Sequence, residues 1–217
     1  MKPMDRTSGS RTLCVQSLAM FAPESRRRVL RTIWHWELQE YGATQSRRLA
    51  AIKGRLRRYD EGLLCVIDGG RMLGFSDVVP LAPSHYAALR KGEVIEEQIP
   101  SRWVDCEPGS APSCWYIGSL IVARSIRRSQ PELAHDLSAR LQRAIWSHIA
   151  ARGRPPFRVL GISATQVGQA KFRQTGFLPV APAVDAVDTR PRFEQVFPRR
   201  AGLAARAAER PRRPCPT

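Results

Sequence analysis

The segment with the most chemical content runs from Trp115 to Glu132 (WYIGSLIVARSIRRSQPE). An apolar run that reads as a buried strand passes directly into Arg124, Arg127 and Arg128. Ser129-Gln130-Pro131-Glu132 follows, with the S-x-x-E form of a capping box and a proline in the first helical turn. The first turn of a helix exposes unpaired N–H groups and the positive end of the helix dipole. A strand ending at such a turn makes an anion site, and neighbouring arginines add charge-assisted hydrogen bonds. Other chemistries lack local support. His35, His85, His135 and His148 stand in no Ser-His-Asp or Cys-His pattern. Cys14, Cys65, Cys106, Cys114 and Cys215 form no C-x-x-C pair and have no histidines spaced to complete a zinc site, so no metal is expected. They read as reduced thiols, with Cys114 in a strand core.

The elements that must position this junction follow from periodicity and punctuation. Thr12 to Leu18 reads as a first strand. Pro23-Glu24-Ser25 opens a helix on which Val29, Leu30, Ile33, Trp34 and Leu38 recur at helical spacing, and a second helix is expected between Ser46 and Tyr59. Leu63–Asp68 and Arg71–Val79 flank Gly69-Gly70 and predict a β-hairpin. Residues 80–112 form a long connection punctuated by prolines, with a short helix from Ser84 to Lys91 capped by Ser84. Cys114–Val122 is the central strand. A long helix follows, with Leu133, Leu137, Leu141, Ala144, Ile145 and Ile149 on one face, ending near Gly153. Phe157–Ile162 is a further strand, Thr165–Gln174 a short helix stopped at Gly176, and Phe177–Val180 and Arg192–Phe197 the last strands.

Two patterns at their separation resemble the GNAT superfamily of acyl-CoA N-acyltransferases. One is the strand-to-helix junction. The other is Ala164 to Phe177 (ATQVGQAKFRQTGF), a polar residue, a small one, an aromatic one, then Gly-Phe. The resemblance covers Leu63 to Val180 by motif and Thr12 to Phe197 by element order. Pro80-Leu81, Gly92-Glu93 and Tyr116-Ile117-Gly118-Ser119-Leu120 are similar to poorly characterised members with a long segment before the central strand. The resemblance implies a single α/β domain: a mixed, mostly antiparallel sheet of about six to seven strands flanked by helices. It implies an acyl donor, acetyl-CoA or another acyl-CoA, along Leu120, Ile121 and Val122, with its pyrophosphate on Arg127, Arg128, Ser129 and Gln130. Thr165, Gly168 and Phe172 would line its pantetheine arm. Arg128, Gln130 and Glu132 replace the family's glycines, Pro131 removes an N–H, and Phe172 stands where a proton-donating tyrosine is common.

Amine acyl transfer needs a deprotonated amine, a polarised thioester carbonyl and a path for the leaving thiolate. Glu96 and Glu97 in the long connection, and Tyr116 and Ser119 on the central strand, are the candidate catalytic residues. A solvated charge run is the competing account of Glu96 and Glu97, and a half-buried sheet position that of Tyr116. Gly118 is either a bulge that brings the backbone close to the thioester or a packing partner of Trp115.

The bulk numbers set the partners. The 217 residues carry 35 Lys+Arg against 19 Asp+Glu, a formal charge of +16, which draws anions: a nucleotide cofactor, an acidic acyl carrier protein or nucleic acid. No zinc finger or other nucleic-acid motif accompanies it, so nucleic acid ranks behind the acyl donor and amine acceptor. No apolar run reaches the ~18 residues of a membrane span. Leu13 to Ala22 is short and polar for a signal peptide, and a cytoplasmic protein is expected. The expected layout is a loose N-terminus over residues 1–10, the acyltransferase-like domain over 11–198 and a basic, disordered tail over 199–217. The acceptor is not legible.

Overall fold

The computed structural model describes residues 13–42, 53–96, 99–107, 110–163 and 165–199. The chain runs β1 (Cys14–Ser17), α1 (Pro23–Tyr41), α2 (residues 53–58), β2 (Leu63–Asp68), β3 (Arg71–Pro80) and α3 (Pro83–Lys91). It continues through β4 (Cys114–Val122), α4 (Arg124–Ser129), α5 (Pro131–Arg152), β5 (Phe157–Ile162), α6 (Gln166–Gln174), β6 (Leu178–Val180) and β7 (Arg192–Phe197). The strands form one seven-stranded sheet in the order β1-β2-β3-β4-β5-β7-β6. Every pairing is antiparallel except β4 with β5. That parallel pair needs a crossover, and α4 and α5 supply it.

The β2–β3 hairpin turns on Gly69 and Gly70, both at positive φ (54° and 81°), the backbone a two-residue hairpin turn demands. α5 buries Leu137, Leu141, Ile145 and Ile149 on one face of the sheet, against Trp115, Ile117, Val159 and Phe193. On the other face, Val29 and Ile33 of α1 and Leu56 of α2 pack on Cys65, Phe75 and Ile121. The long connection is ordered where described. Leu81 bridges Val104, and Leu81, Tyr86, Leu89, Ile99 and Val104 form a third apolar cluster with Tyr116 and Leu160.

Several expectations need correction. The apolar stripe of α1 is Val29, Ile33 and Glu37, all buried, while Trp34 is 44% exposed. α3 starts at Pro83 after Ala82, with no hydroxyl cap from Ser84. Residues 124–129 are not a loop but a short helix, anchored by buried Ile126. The capping box does not form: Gln130 precedes α5 without a side-chain cap, and the Ser129 hydroxyl donates back to the Ser125 carbonyl at 2.8 Å. β1 is shorter than expected. Glu97, the first part of the second expected helix and the termini beyond residues 13–199 lie outside the described residues.

Candidate active site

β4 and β5 are paired only over Cys114–Ile117 and Arg158–Gly161. From Ser119 to Val122, β4 stays on β3 and parts from β5. The parting coincides with a bulge. Asp77 faces Ser119 and Val78 faces Ile117, so Gly118 is the extra residue of β4. Bulges aim backbone and side chains away from the ladder, and this one sits at the mouth of a gap. The Ser76 hydroxyl holds the strand there by donating to the Ser119 carbonyl at 2.6 Å.

The gap opens into a cavity of about 370 Å³ between β4, β5, α5, α6 and the end of α1. Its lining is apolar along Ile117, Leu120, Ile145, Trp146, Phe172 and Phe177, and polar at Ser119, Ser138, Gln142, Ser163, Thr165 and Thr175. Charge enters through Glu40, Arg127 and Lys171. Arg127 is occupied: its Nε donates to the Val122 carbonyl at 3.0 Å and its other arm pairs with Glu40. Lys171 projects from α6, and burial lowers its pKa from the ordinary lysine value.

Of the expected donor residues, Leu120, Ile121, Val122, Arg127, Thr165, Gly168 and Phe172 line this cavity, whereas exposed Arg128, Ser129 and Gln130 do not. Thr165 caps α6, its hydroxyl accepting from the Gly168 amide at 3.1 Å. Gly168 is small for a local reason as well: a Cβ there would lie 2.4 Å from the Ser163 hydroxyl. Phe172 stacks on Phe193 at 5.3 Å and meets Phe177 edge-on at 4.9 Å. Its ring fills the space above Gly161, the last β5 residue paired with β4, where a Cβ would lie 2.1 Å from Cζ. Gly161→Ala is therefore expected to cost about 1–3 kcal/mol by overpacking, read as a lower Tm in thermal unfolding.

The opposite side of the bulge is a buried polar centre. Arg55, 1% exposed, pairs with Asp77 at 3.0 Å. Burial alone would depress this guanidinium, but Asp77, Glu96 and Tyr116 hold its pKa above the ordinary value. Glu96, expected either as a base or in a solvated charge run, is 2% exposed and sits 3.8 Å from Arg190. Asp188 pairs with Arg190 at 2.9 Å and Arg192 at 3.0 Å. Gly118 touches this centre directly: a Cβ would lie 2.9 Å from Asp77 Oδ2 and 3.4 Å from Glu96 Oε1. Tyr116 is fully buried beside it and does not line the cavity. Ser119 does line it, and its hydroxyl donates to Glu37 Oε1 at 2.7 Å. Glu37 had a signal in the sequence, since it falls four residues after Ile33 and eight after Val29 on the buried stripe. Among the described residues, no group of three or more His, Cys, Asp or Glu could hold a metal ion, and no helix is long and apolar enough to cross a membrane.

No protein-family model and no curated protein matches the chain. Solved structures do. The CoA-dependent acyl-homoserine lactone synthase BjaI aligns at 19% identity and TM-score 0.52, over 90% of this chain and 87% of its own. Ard1 from Thermoplasma volcanium aligns at 13% identity and TM-score 0.51, over 85% and 97%. Mosquito arylalkylamine N-acetyltransferase-like 5b aligns at 11% identity and TM-score 0.53, over 86% and 100%. At these identities the likeness is one of fold, and the fold is that of the GNAT acyltransferases.

Proposed function

We propose that this protein is an N-acyltransferase that takes an acyl group from an acyl thioester, in first place acetyl-CoA or another acyl-CoA, and passes it to an amine. The observation that carries the reading is the parting of β4 and β5 at the Gly118 bulge, with an apolar-walled cavity on one side of the bulge and buried carboxylates on the other. The similarity in fold to BjaI, whose name states a CoA-dependent reaction, and to an arylalkylamine N-acetyltransferase-like protein supports it.

The chain's own groups divide the work. Leu120, Ile121, Val122, Thr165, Gly168 and Phe172 hold the donor's arm and exclude water. Backbone at the bulge polarises the thioester carbonyl. The amine approaches from the side of Ser119 and Glu96. A donor arm suits the cavity's size and apolar wall. The phosphate end is less well provided. The Arg127 amide already donates to the Ala123 carbonyl at 3.1 Å, and the Gln130 amide to the Ile126 carbonyl at 2.8 Å, so neither is free for a phosphate. Charge must come from side chains: Lys171 in the cavity lining, and exposed Arg124 and Arg128 on α4.

That shortage of free amides favours a second reading of the donor. An acyl carrier protein presents an arm with one phosphate and no adenosine, and its acidic surface suits Arg124 and Arg128. Calorimetry with acetyl-CoA, longer acyl-CoAs and acyl carrier protein decides between them. Micromolar binding of an acyl-CoA supports the first reading, and binding of the carrier alone supports the second. Binding of neither, with salt-sensitive binding of nucleic acid, leaves a GNAT-like scaffold without catalysis.

Lys171→Met is expected to weaken donor binding by about tenfold or more, the weight of one hydrogen bond to a charged group. The same substitution raises Tm. Burial disfavours the ammonium in the folded protein, so below the lowered pKa the charged form costs stability that is recovered as pH rises through that pKa, and methionine removes the cost. Unchanged donor affinity in the same calorimetry would take Lys171 out of the donor site.

A further inference from the structure

We propose that Glu37, acting through the Ser119 hydroxyl, is the proton acceptor for the attacking amine. The assignment rests on the acyl-transfer reading above. It starts from a residue type in the wrong place. Glu37 is 4% exposed and occupies the apolar stripe of α1, where leucine or methionine would bury at no electrostatic cost. Buried charges are seldom kept for stability, because well-packed apolar residues of similar volume do as well or better.

Its placement supplies a use. Ser119 follows the bulge residue Gly118 and lines the cavity. Its hydroxyl points back from the cavity wall to Glu37 Oε1 at 2.7 Å, with Ser119 itself 4% exposed. Through the Ser119 hydroxyl Glu37 reaches the cavity, and a hydroxyl can take a proton on one side while giving one on the other. Ser119 therefore touches the amine, and Glu37 is the positioning and proton-holding residue behind it.

The step balances within these groups. The amine nitrogen forms its bond to the acyl carbon and gives one proton to Ser119 Oγ. Ser119 Oγ gives its own proton to Glu37 Oε1. The carbon–sulfur bond breaks and its electron pair leaves on sulfur as a thiolate, Phe172 having no proton to offer. Glu37 returns its proton to solvent before the next turnover.

The test is Glu37→Gln, which keeps the volume and an acceptor for the Ser119 hydroxyl but cannot hold the proton. The assay uses acetyl-CoA, hexanoyl-CoA and hexanoyl-acyl carrier protein with a panel of primary amines from tyramine to an α-amino-acid amide. The variant is expected to lose about 100-fold in kcat/KM for the amine, at unchanged donor affinity by calorimetry. Its log kcat/KM should keep rising with pH where the wild type levels off, because solvent hydroxide replaces the lost base. Ser119→Ala should show the same profile, which covers the case in which Glu37→Gln fails to fold. Wild-type transfer with a pH profile that both variants leave unmoved would overturn the assignment and leave acyl transfer standing. Absence of transfer by the wild type from any of these donors would overturn both.

Discussion

Arg55→Met is expected to destabilise the fold by about 3–5 kcal/mol, the cost of leaving a buried charge without its partner. Arg55 and Asp77 contact at 3.0 Å with side chains 2% and 6% exposed, so little solvent is at hand to replace the guanidinium. Glu96 and Tyr116 lie in the same field. A loss of that size is a large part of the 5–15 kcal/mol that separates a typical folded domain from its unfolded chain. Urea denaturation measures it as a lower midpoint at constant slope. The companion experiment is the double variant Arg55→Met with Asp77→Leu. Replacing both partners by apolar groups of similar size is often neutral, so most of the loss should return. A single variant that costs under about 1 kcal/mol would mean that water reaches the pair and that the polar centre is not closed. The result bears on function as well, because Asp77 Oδ2 is both the arginine's partner and the nearest atom to the space beside Gly118. Disturbing the pair moves a wall of the proposed reaction centre, and catalysis should fall in Arg55→Met even where the protein remains folded.

The local elements were legible for identifiable reasons. Gly69-Gly70, Pro83, Gly92, Gly153 and Gly176 punctuate apolar runs, and periods of two and of about 3.6 separate strands from helices. The central strand and β7 accordingly begin and end where periodicity put them. α4 was missed because its arginines matched an anion-binding turn. One buried contact, Ile126, was enough to fold Arg124–Ser129 into a helix instead, since arginine and isoleucine both tolerate one. The polar centre could not be read at all from neighbours in sequence. It draws on Glu37 of α1, Arg55 of α2, Asp77 of β3, Glu96 of the connection, Gly118 and Ser119 of β4, and the segment from Asp188 to Arg192. Only the β3–β4–β5–β7 order brings these together. Glu37 stood in view, three or four residues from apolar neighbours, but a carboxylate on a helix reads as surface until its partner is seen.

His148 makes the stability of this fold depend on pH in the weakly acidic range. Burial first, and the nearby Arg152 second, lower its pKa from 6.5 to about 4, against a smaller opposing effect of Glu61. Its Nε2 lies 2.6 Å from the Tyr59 hydroxyl and its ring packs edge-on to Trp115 at 6.0 Å, a setting that the neutral ring satisfies with Tyr59 as donor. Above pH 6.5 both folded and unfolded chains hold the ring neutral. Between 6.5 and 4 the unfolded chain takes up a proton that the folded protein refuses, so stability falls as pH falls. The shift from 6.5 to about 4 corresponds to about 2–3 kcal/mol, after some discount for solvent at a ring that is only partly enclosed. Carboxylates titrate in the same range, so the quantity to measure is the difference between wild type and His148→Gln, whose side chain can still accept from Tyr59. That difference should shrink by about 2–3 kcal/mol between pH 7 and pH 4 in urea unfolding. A His148 ring that titrates near 6.5 by NMR in the folded protein would contradict it. The site adjoins the cavity: His148 lies two residues beyond Trp146, which lines it, and packs on Trp115, within the paired stretch of β4 that ends before the Gly118 bulge. Loss of acyl transfer that arises from loosening around His148 on mild acidification is therefore accompanied by a fall in the urea midpoint, a fall that His148→Gln shares only in part.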